Sequence, residues 1–243
     1  LAYWANLVTP VPASIAFPLI EGLKSETICE DDRINSLVSV EPIGFDDAVR
    51  LALEKIRQHE VATRWTNASM PGRDQTRVPF DPRDFPIHDE QTVTCDCPAA
   101  ALFDQVQRVG GDRGWYYADM LWKVRGWIDR VIGGVGLRRG RRDPKNVFLG
   151  EAIDFWRVED MVPGARLLLH AEMKVPGDAW LEFRALPLED GSRSQLIQTA
   201  FSRPLPFWGR LYWNVLYPIH RLVFRGMARN IARAAESSVK ALR

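Results

Sequence analysis

The side chains with the most chemical potential in this 243-residue sequence are its four histidines, His59, His88, His170 and His220. None stands at a metal-ligand spacing from another His, Cys or carboxylate, so no metal site is expected. His170 and Glu172 lie two residues apart in an alternating stretch. That spacing puts both on one strand face about 7 Å apart, near enough for an acid and base pair. A solvent-facing polar stripe accounts for the same residues, and both readings stand open. No serine occupies a nucleophile-elbow context and no cysteine has an electropositive surround, so no catalytic residue is assigned. Cys29, Cys95 and Cys97 give neither an even disulfide framework nor a zinc spacing. Cys95 and Cys97 alternate across an expected strand and should point to opposite faces, which suits a reducing, cytoplasmic setting.

Binding chemistry has more candidates. Arg138, Arg139, Arg141 and Arg142 are dense enough to engage a phosphate or a partner's carboxylates through bidentate guanidinium forks, although such runs are also common as solvated loops. Asp154, Glu182 and Gln198 would serve as polar anchors if they point into a cavity, and alternation alone does not fix their sheet face. Nine tryptophans either fill a core or line a pocket. Lys plus Arg is 32 against 31 for Asp plus Glu, so no chain-wide field attracts nucleic acid.

The elements that must carry these residues follow from periodicity. Residues Ala13–Leu23 and Phe45–Ile56 read as helices, the second with Phe45, Val49, Ala52, Leu53 and Ile56 on one stripe and Asp46 and Asp47 in its first turn. The uncharged residues Leu1–Ile20 fail as a membrane span because Pro10, Pro12 and Pro18 interrupt them. From Val61 to Pro86 no period survives, and a linker over 61–89 separates a first segment, 1–60, from a domain over 90–243. In that domain the pattern gives a strand over Gln91–Cys97 and helices over Pro98–Val109 and Trp115–Ile132. The second helix carries Tyr117, Leu121, Val124, Ile128 and Val131 on one side. Strands follow over Ala152–Val158, Arg166–Val175, Ala179–Leu186 and Ser194–Arg203, joined by Pro-Gly and Asp-Gly turn signals. A helix over Phe207–Leu242 covers the apolar sheet face, and Pro218 should bend or divide it. Arg221, Arg225, Arg229 and Arg233 step along the opposite side, where peripheral contact with an anionic membrane, anchored by Trp208, Tyr212 and Trp213, is a secondary reading.

This order of strand, two helices, antiparallel strands and one long helix resembles the helix-grip fold of the START-like (SRPBCC) superfamily. Gly114-Trp115-Tyr116-Tyr117, Gly136 to Pro144, Asp154-Phe155-Trp156-Arg157-Val158, Ala171-Glu172-Met173-Lys174 and Leu211-Tyr212-Trp213 look like a START-like domain of unknown function found at the C-terminus of certain short-chain dehydrogenase-like proteins. Tyr3 to Pro12, Leu19 to Leu23 and Phe45 to Leu53 resemble the closing helices of atypical, NmrA-like short-chain dehydrogenases. The chain opens at Leu1 with apolar residues, which reads as the remainder of a longer protein.

The resemblance implies an α+β helix-grip domain with a cavity between sheet and last helix, preceded by helices of an incomplete dinucleotide-binding domain. The expected ligand is an apolar or amphipathic small molecule. Its wall would be Phe155, Leu169, Met173, Phe183 and Ile197, with Tyr116, Tyr117 and Trp213 nearer the mouth. The alternative makes this chain the substrate-side part of an NAD(P)-dependent oxidoreductase. No glycine-rich strand-to-helix turn is present, so this chain is expected to hold no cofactor, and NAD(P) would belong to a missing N-terminal half.

Overall fold

The computed structural model describes residues 13–26, 28, 33–38, 41–58, 61, 80–137, 141–188, 191–205 and 207–241. The chain divides into two compact units, 1–66 and 67–243. In the first, α1 (Ala13–Gly22), α2 (Arg33–Leu37) and α3 (Phe45–Arg57) are helical. α3 has its expected acidic first turn, and Phe45, Val49, Leu53 and Ile56 on its stripe are exposed.

The second unit carries the sheet. β1 (Ile87–Cys95) leads to α4 (Ala99–Val106) and α5 (Asp119–Val131). β2 (Ala152–Ile153), β3 (Trp156–Val162), β4 (Arg166–Ala171), β5 (Gly177–Leu188) and β6 (Arg193–Pro204) follow, then α6 (Trp208–Ala241). The six strands pair in the order β1-β6-β5-β4-β3-β2, every pair antiparallel. Alternation decides which side of each strand is covered. Leu167 pairs with Phe183 and Leu169 with Leu181. With Val158, Ala185 and Leu196 they make the inner face, and Val223, Met227, Ile231 and Ala235 of α6 are buried in the same core. The unit is thus an α+β helix-grip domain. α6 runs through Pro218 as one helix of 34 residues, so the proline does not divide it. Truncating a fully buried side chain here, Ile231→Ala for example, costs on the order of 2–5 kcal/mol.

The outer face is also furnished. Phe80 and Phe85 pack on Leu168, Trp180 and Phe201, with Phe85 and Trp180 ring centroids 4.8 Å apart. Residues just before β1, which have no period of their own, are therefore held on the sheet by aromatic contacts. Beside them Arg166 bridges Glu182 and Asp160, both at 2.6 Å.

Two expectations are corrected. Cys95 ends β1 and Cys97 lies beyond it, where strand alternation no longer applies, and the two sulfurs are joined in a disulfide rather than facing apart. β4 stops at Ala171 rather than Val175. Just past its end, the Glu172 backbone N–H donates to the Phe155 carbonyl at 2.8 Å and the Glu172 carboxylate accepts from Arg157 Nε at 2.6 Å and Nη2 at 3.2 Å. Glu172 is thus buried in an ion pair, neither the base of a pair with His170 nor part of a solvated stripe. His170 instead packs against Trp180 with the rings tilted, centroids 4.7 Å apart.

Candidate functional site

A cavity of about 230 Å³ lies between α5, the first half of α6, and the neighbouring ends of β5 and β6. α5 supplies Leu121, Trp122, Val124 and Ile128. α6 supplies Trp213, Leu216, Ile219, His220, Val223 and Phe224, and the sheet supplies Trp156, Ala179 and Ala200. Met173, Val175 and Pro176 close one side because β4 has ended and the chain is free to turn inward there. The volume sits just below the roughly 300–1,000 Å³ usual for drug-sized ligands, which suits a smaller guest.

The wall is held from behind by a buried polar post. Asp154, at φ +53°, accepts from Trp115 Nε1 at 2.8 Å and from the Gly111 backbone N–H at 3.2 Å. Burial raises the Asp154 pKa, and those two hydrogen bonds pull it partly back. Trp115 in turn packs against Trp122 at 5.4 Å and Trp156 at 6.1 Å between centroids, so the post positions two rings of the cavity wall.

The orientation of α5, which its sequence stripe leaves open, is set by Gly126 and Asp129. Gly126 faces inward, where an added Cβ would stand 2.4 Å from Leu137 Cβ and 2.7 Å from its backbone nitrogen. Asp129, fully buried, accepts from the backbone N–H groups of Gly136 at 2.8 Å and Lys174 at 2.7 Å. The small residue and the carboxylate turn in against the rest of the domain, while the apolar side of the helix places Leu121, Val124 and Ile128 at the cavity rim, partly exposed, and Val131 outside it. Tyr117 seats α6, its ring lying where a Cβ on Gly226 would stand 2.4 Å away.

Besides Arg125 Nη1, which stands 3.5 Å from the Asp129 carboxylate, two polar atoms in the cavity lining are buried without a hydrogen-bond partner, Trp156 Nε1 and His220 Nδ1. Burial pushes the His220 pKa down, opposed by the Asp89 carboxylate and reinforced by Arg125. The imidazole is therefore neutral near pH 7 and can both donate and accept, whereas the Trp156 indole donates only. Asp89 Oδ2 and both polar atoms of the Gln198 amide are likewise buried and unpartnered, and both residues point from the inner face of β1 and β6. A guest with an oxygen acceptor on an otherwise apolar frame would meet partners here.

Of the residues expected to line a pocket, Met173 and Trp213 do so. Phe155, Leu169 and Phe183 are fully buried in the core behind it. Ile197 pairs with Thr92 and Arg184 on the outer face, one register step from inward Leu196 and Gln198, so it cannot contribute. Tyr116 donates its hydroxyl to the Gln105 carbonyl at 2.9 Å and, with Tyr117, braces helices rather than lining the cavity. Burial raises its pKa. Glu182 is outward with Arg166, and Asp154 lies in the turn before β3. Arg141 donates to the Gln107, Val109 and Asn146 carbonyls at 2.6, 3.1 and 2.7 Å, an anchoring role, and burial lowers its pKa. Arg142 stacks over Phe148 at 4.3 Å. Arg138 and Arg139 lie outside the described residues. The sequence reading missed His220 and Trp156, although His220 interrupts the apolar series Trp213, Leu216, Val223, Phe224 and Met227 at helical spacing, a signal of a polar group aimed inward.

The model of a family described as protein of unknown function (DUF2867) matches residues 82–227. No curated protein matches the chain. Among solved structures, the ZhuI aromatase/cyclase from Streptomyces sp. R1128 is similar at 18% identity and a TM-score of 0.36, over 63% of this chain and 95% of that one. A START superfamily protein from Mycobacterium smegmatis gives 14%, 0.35, 64% and 99%. The di-domain aromatase/cyclase BexL from the BE-7585A biosynthetic pathway gives 15% and 0.36 over 60% of this chain, which spans about half its length (46%). Likenesses this distant do not bear on what the cavity holds.

Proposed function

The chain belongs to the DUF2867 family of proteins of unknown function, and since that membership names no chemistry, we propose from the cavity itself that the domain binds an apolar small molecule bearing one oxygen acceptor. The observation that carries this reading is the pairing of an apolar lining with two unpartnered buried nitrogens, Trp156 Nε1 and His220 Nδ1. An unsatisfied buried polar group costs about 1–3 kcal/mol, so a fold that keeps two in one cavity gains when a guest supplies their partners. Apolar contact would give affinity, and the two nitrogens would select orientation.

Binding rather than turnover is the reading we propose: three buried carboxylates near the site are committed, and Asp89, whose Oδ2 is buried without a hydrogen-bond partner, is assigned no chemical step. Glu172 is paired with Arg157, Asp129 accepts backbone N–H groups, and Asp154 holds Trp115. The family match begins at residue 82 and leaves the dehydrogenase resemblance of residues 1–60 where it stood. Native mass spectrometry of the 243-residue chain with a panel of small aromatic and aliphatic ketones, phenols and matched hydrocarbons tests the proposal. One-to-one adducts with oxygen-bearing compounds, at higher occupancy than with their hydrocarbon counterparts, are expected. A panel in which no compound binds, or in which hydrocarbons bind equally well, overturns it.

A further inference from the structure

α5 is a helix turned inside out. Its inward side offers Gly126 and the buried carboxylate of Asp129, and its outward side offers Met120, Val124, Trp127 and Val131 at steps of four, three and four. The first half of α6 has an exposed apolar stripe of its own, Trp208, Leu211, Val215, Ile219 and Leu222. Met120, Trp127, Val131, Trp208 and Val215 are each 65–73% exposed, which is far from incidental for side chains of this size.

The two stripes border one opening. Leu121, Val124 and Ile128 of α5 and Leu216 and Ile219 of α6 all line the cavity, and most of them are also exposed, so they form its lips. The charge around the lips is predominantly basic, with Asp178 the acidic residue of the cavity lining. Lys123 and Arg130 are exposed beside the α5 stripe, and Arg210, Arg221 and Arg225 are exposed on α6, while no acidic residue occurs between Trp208 and Asn230. Asp129 on α5 is buried and Asp119 is engaged with the Trp115 backbone N–H at 2.8 Å. The chain as a whole carries a net charge of only +1, so this is a local concentration.

We propose that these lips seat the domain on an anionic lipid surface, with the cavity mouth turned toward the acyl region, so that the apolar guest enters from the bilayer. A stripe of apolar side chains flanked by Lys and Arg is what a helix lying in the interfacial plane requires. Trp127 and Trp208 have the amphipathic rings that settle at headgroup level. No described helix is long and apolar enough to cross a membrane, which fits a surface seat. A protein partner would need acidic groups matched to five separated cations, whereas an anionic bilayer offers negative charge everywhere around an apolar interior. The inference rests on the ligand-binding reading only for what passes through the mouth.

Flotation of the full 243-residue chain with vesicles of phosphatidylcholine, with and without phosphatidylglycerol, tests it. The chain should float with phosphatidylglycerol vesicles, at least about tenfold more than with phosphatidylcholine alone. Trp127→Glu/Val131→Glu should abolish this, and so should Leu211→Glu/Val215→Glu, with melting temperatures and native mass spectrometry adducts kept, since all four side chains point outward. Flotation without any adduct supports docking while removing the ligand reading, and adducts without flotation do the reverse. Docking is overturned if the wild-type chain stays with the pellet, if both glutamate pairs float normally, or if the chain is a dimer that these substitutions make monomeric.

Discussion

Removing one partner of the Arg157–Glu172 pair should be among the most damaging single changes in the sheet. Their side chains are 5% and 8% exposed, and Arg157 Nε stands 2.6 Å from Glu172 Oε1. Arg157 also donates to the Gly150 carbonyl at 2.8 Å, so it ties the turn before β2 to the end of β4. Glu172→Ala leaves a guanidinium without its counter-charge in a place water hardly reaches, at a cost of about 3–5 kcal/mol. Against a total stability of about 5–15 kcal/mol, that is about a fifth or more. For a domain of this size it corresponds to a melting temperature lower by roughly 6–20 °C. Arg157→Ala should cost as much, plus about 1 kcal/mol for the stranded Gly150 carbonyl. The double change Arg157→Met/Glu172→Met, which removes both charges and keeps the volume, should lie within about 1 kcal/mol of wild type. Urea unfolding followed by circular dichroism measures all four proteins. Single changes that each cost under about 1 kcal/mol, or a double change equal to the sum of the singles, would refute the reasoning.

His220 gives a pH signature. Burial holds its pKa below the ordinary value of about 6.5, so its neutral form contributes stability that is fully present above that pH and is lost as pH falls through the lowered value. His220→Phe should therefore gain on wild type in melting temperature between pH 7.5 and 4.5, and a constant difference across that range would count against a buried imidazole. Gly126→Val should push α5 off Leu137 at a cost of about 1–3 kcal/mol. Hydrogen exchange should rise in residues 119–137 and not in β5 or β6, and adduct formation should fall. Unchanged ligand occupancy in that variant would mean that α5 is no wall of the site.

Most of the sheet was legible because Leu167, Leu169 and Ala171, and Leu181, Phe183 and Ala185, recur at every second position and the turns from β3 to β6 carry Pro-Gly or Asp-Gly. The stretch expected as one strand over Ala152–Val158 is instead split into β2 and β3 by the turn at Asp154 and Phe155. The closing helix was legible because Ile219, Val223, Met227 and Ile231 outnumber any polar competitor on that side. The orientation of α5 was not. Periodicity identifies an apolar stripe but not the direction it faces, and here Gly126 and Asp129 make tighter contacts inward than the stripe could. Ile197 was placed by hydrophobicity, yet the register that sends Leu196 and Gln198 inward sends it out. The cysteines misled because one lies past the end of the strand. The wall residues were drawn from the centre of the sheet, where α6 packs directly, whereas the space opens at the other end, between Trp213 and Trp156.

Occupation of the space between α5, α6 and the sheet by a small molecule is tested most directly by filling that space. Ala200 lines it from β6, and Ala200→Phe would project a ring into it while the sheet keeps its pairing. Isothermal calorimetry with the best compound from the panel, on wild type and on this variant, is the most direct measurement. Saturable one-to-one binding to wild type, weakened at least about tenfold in a variant that melts no lower, is the expected result. Equal affinity in the two proteins would contradict the account.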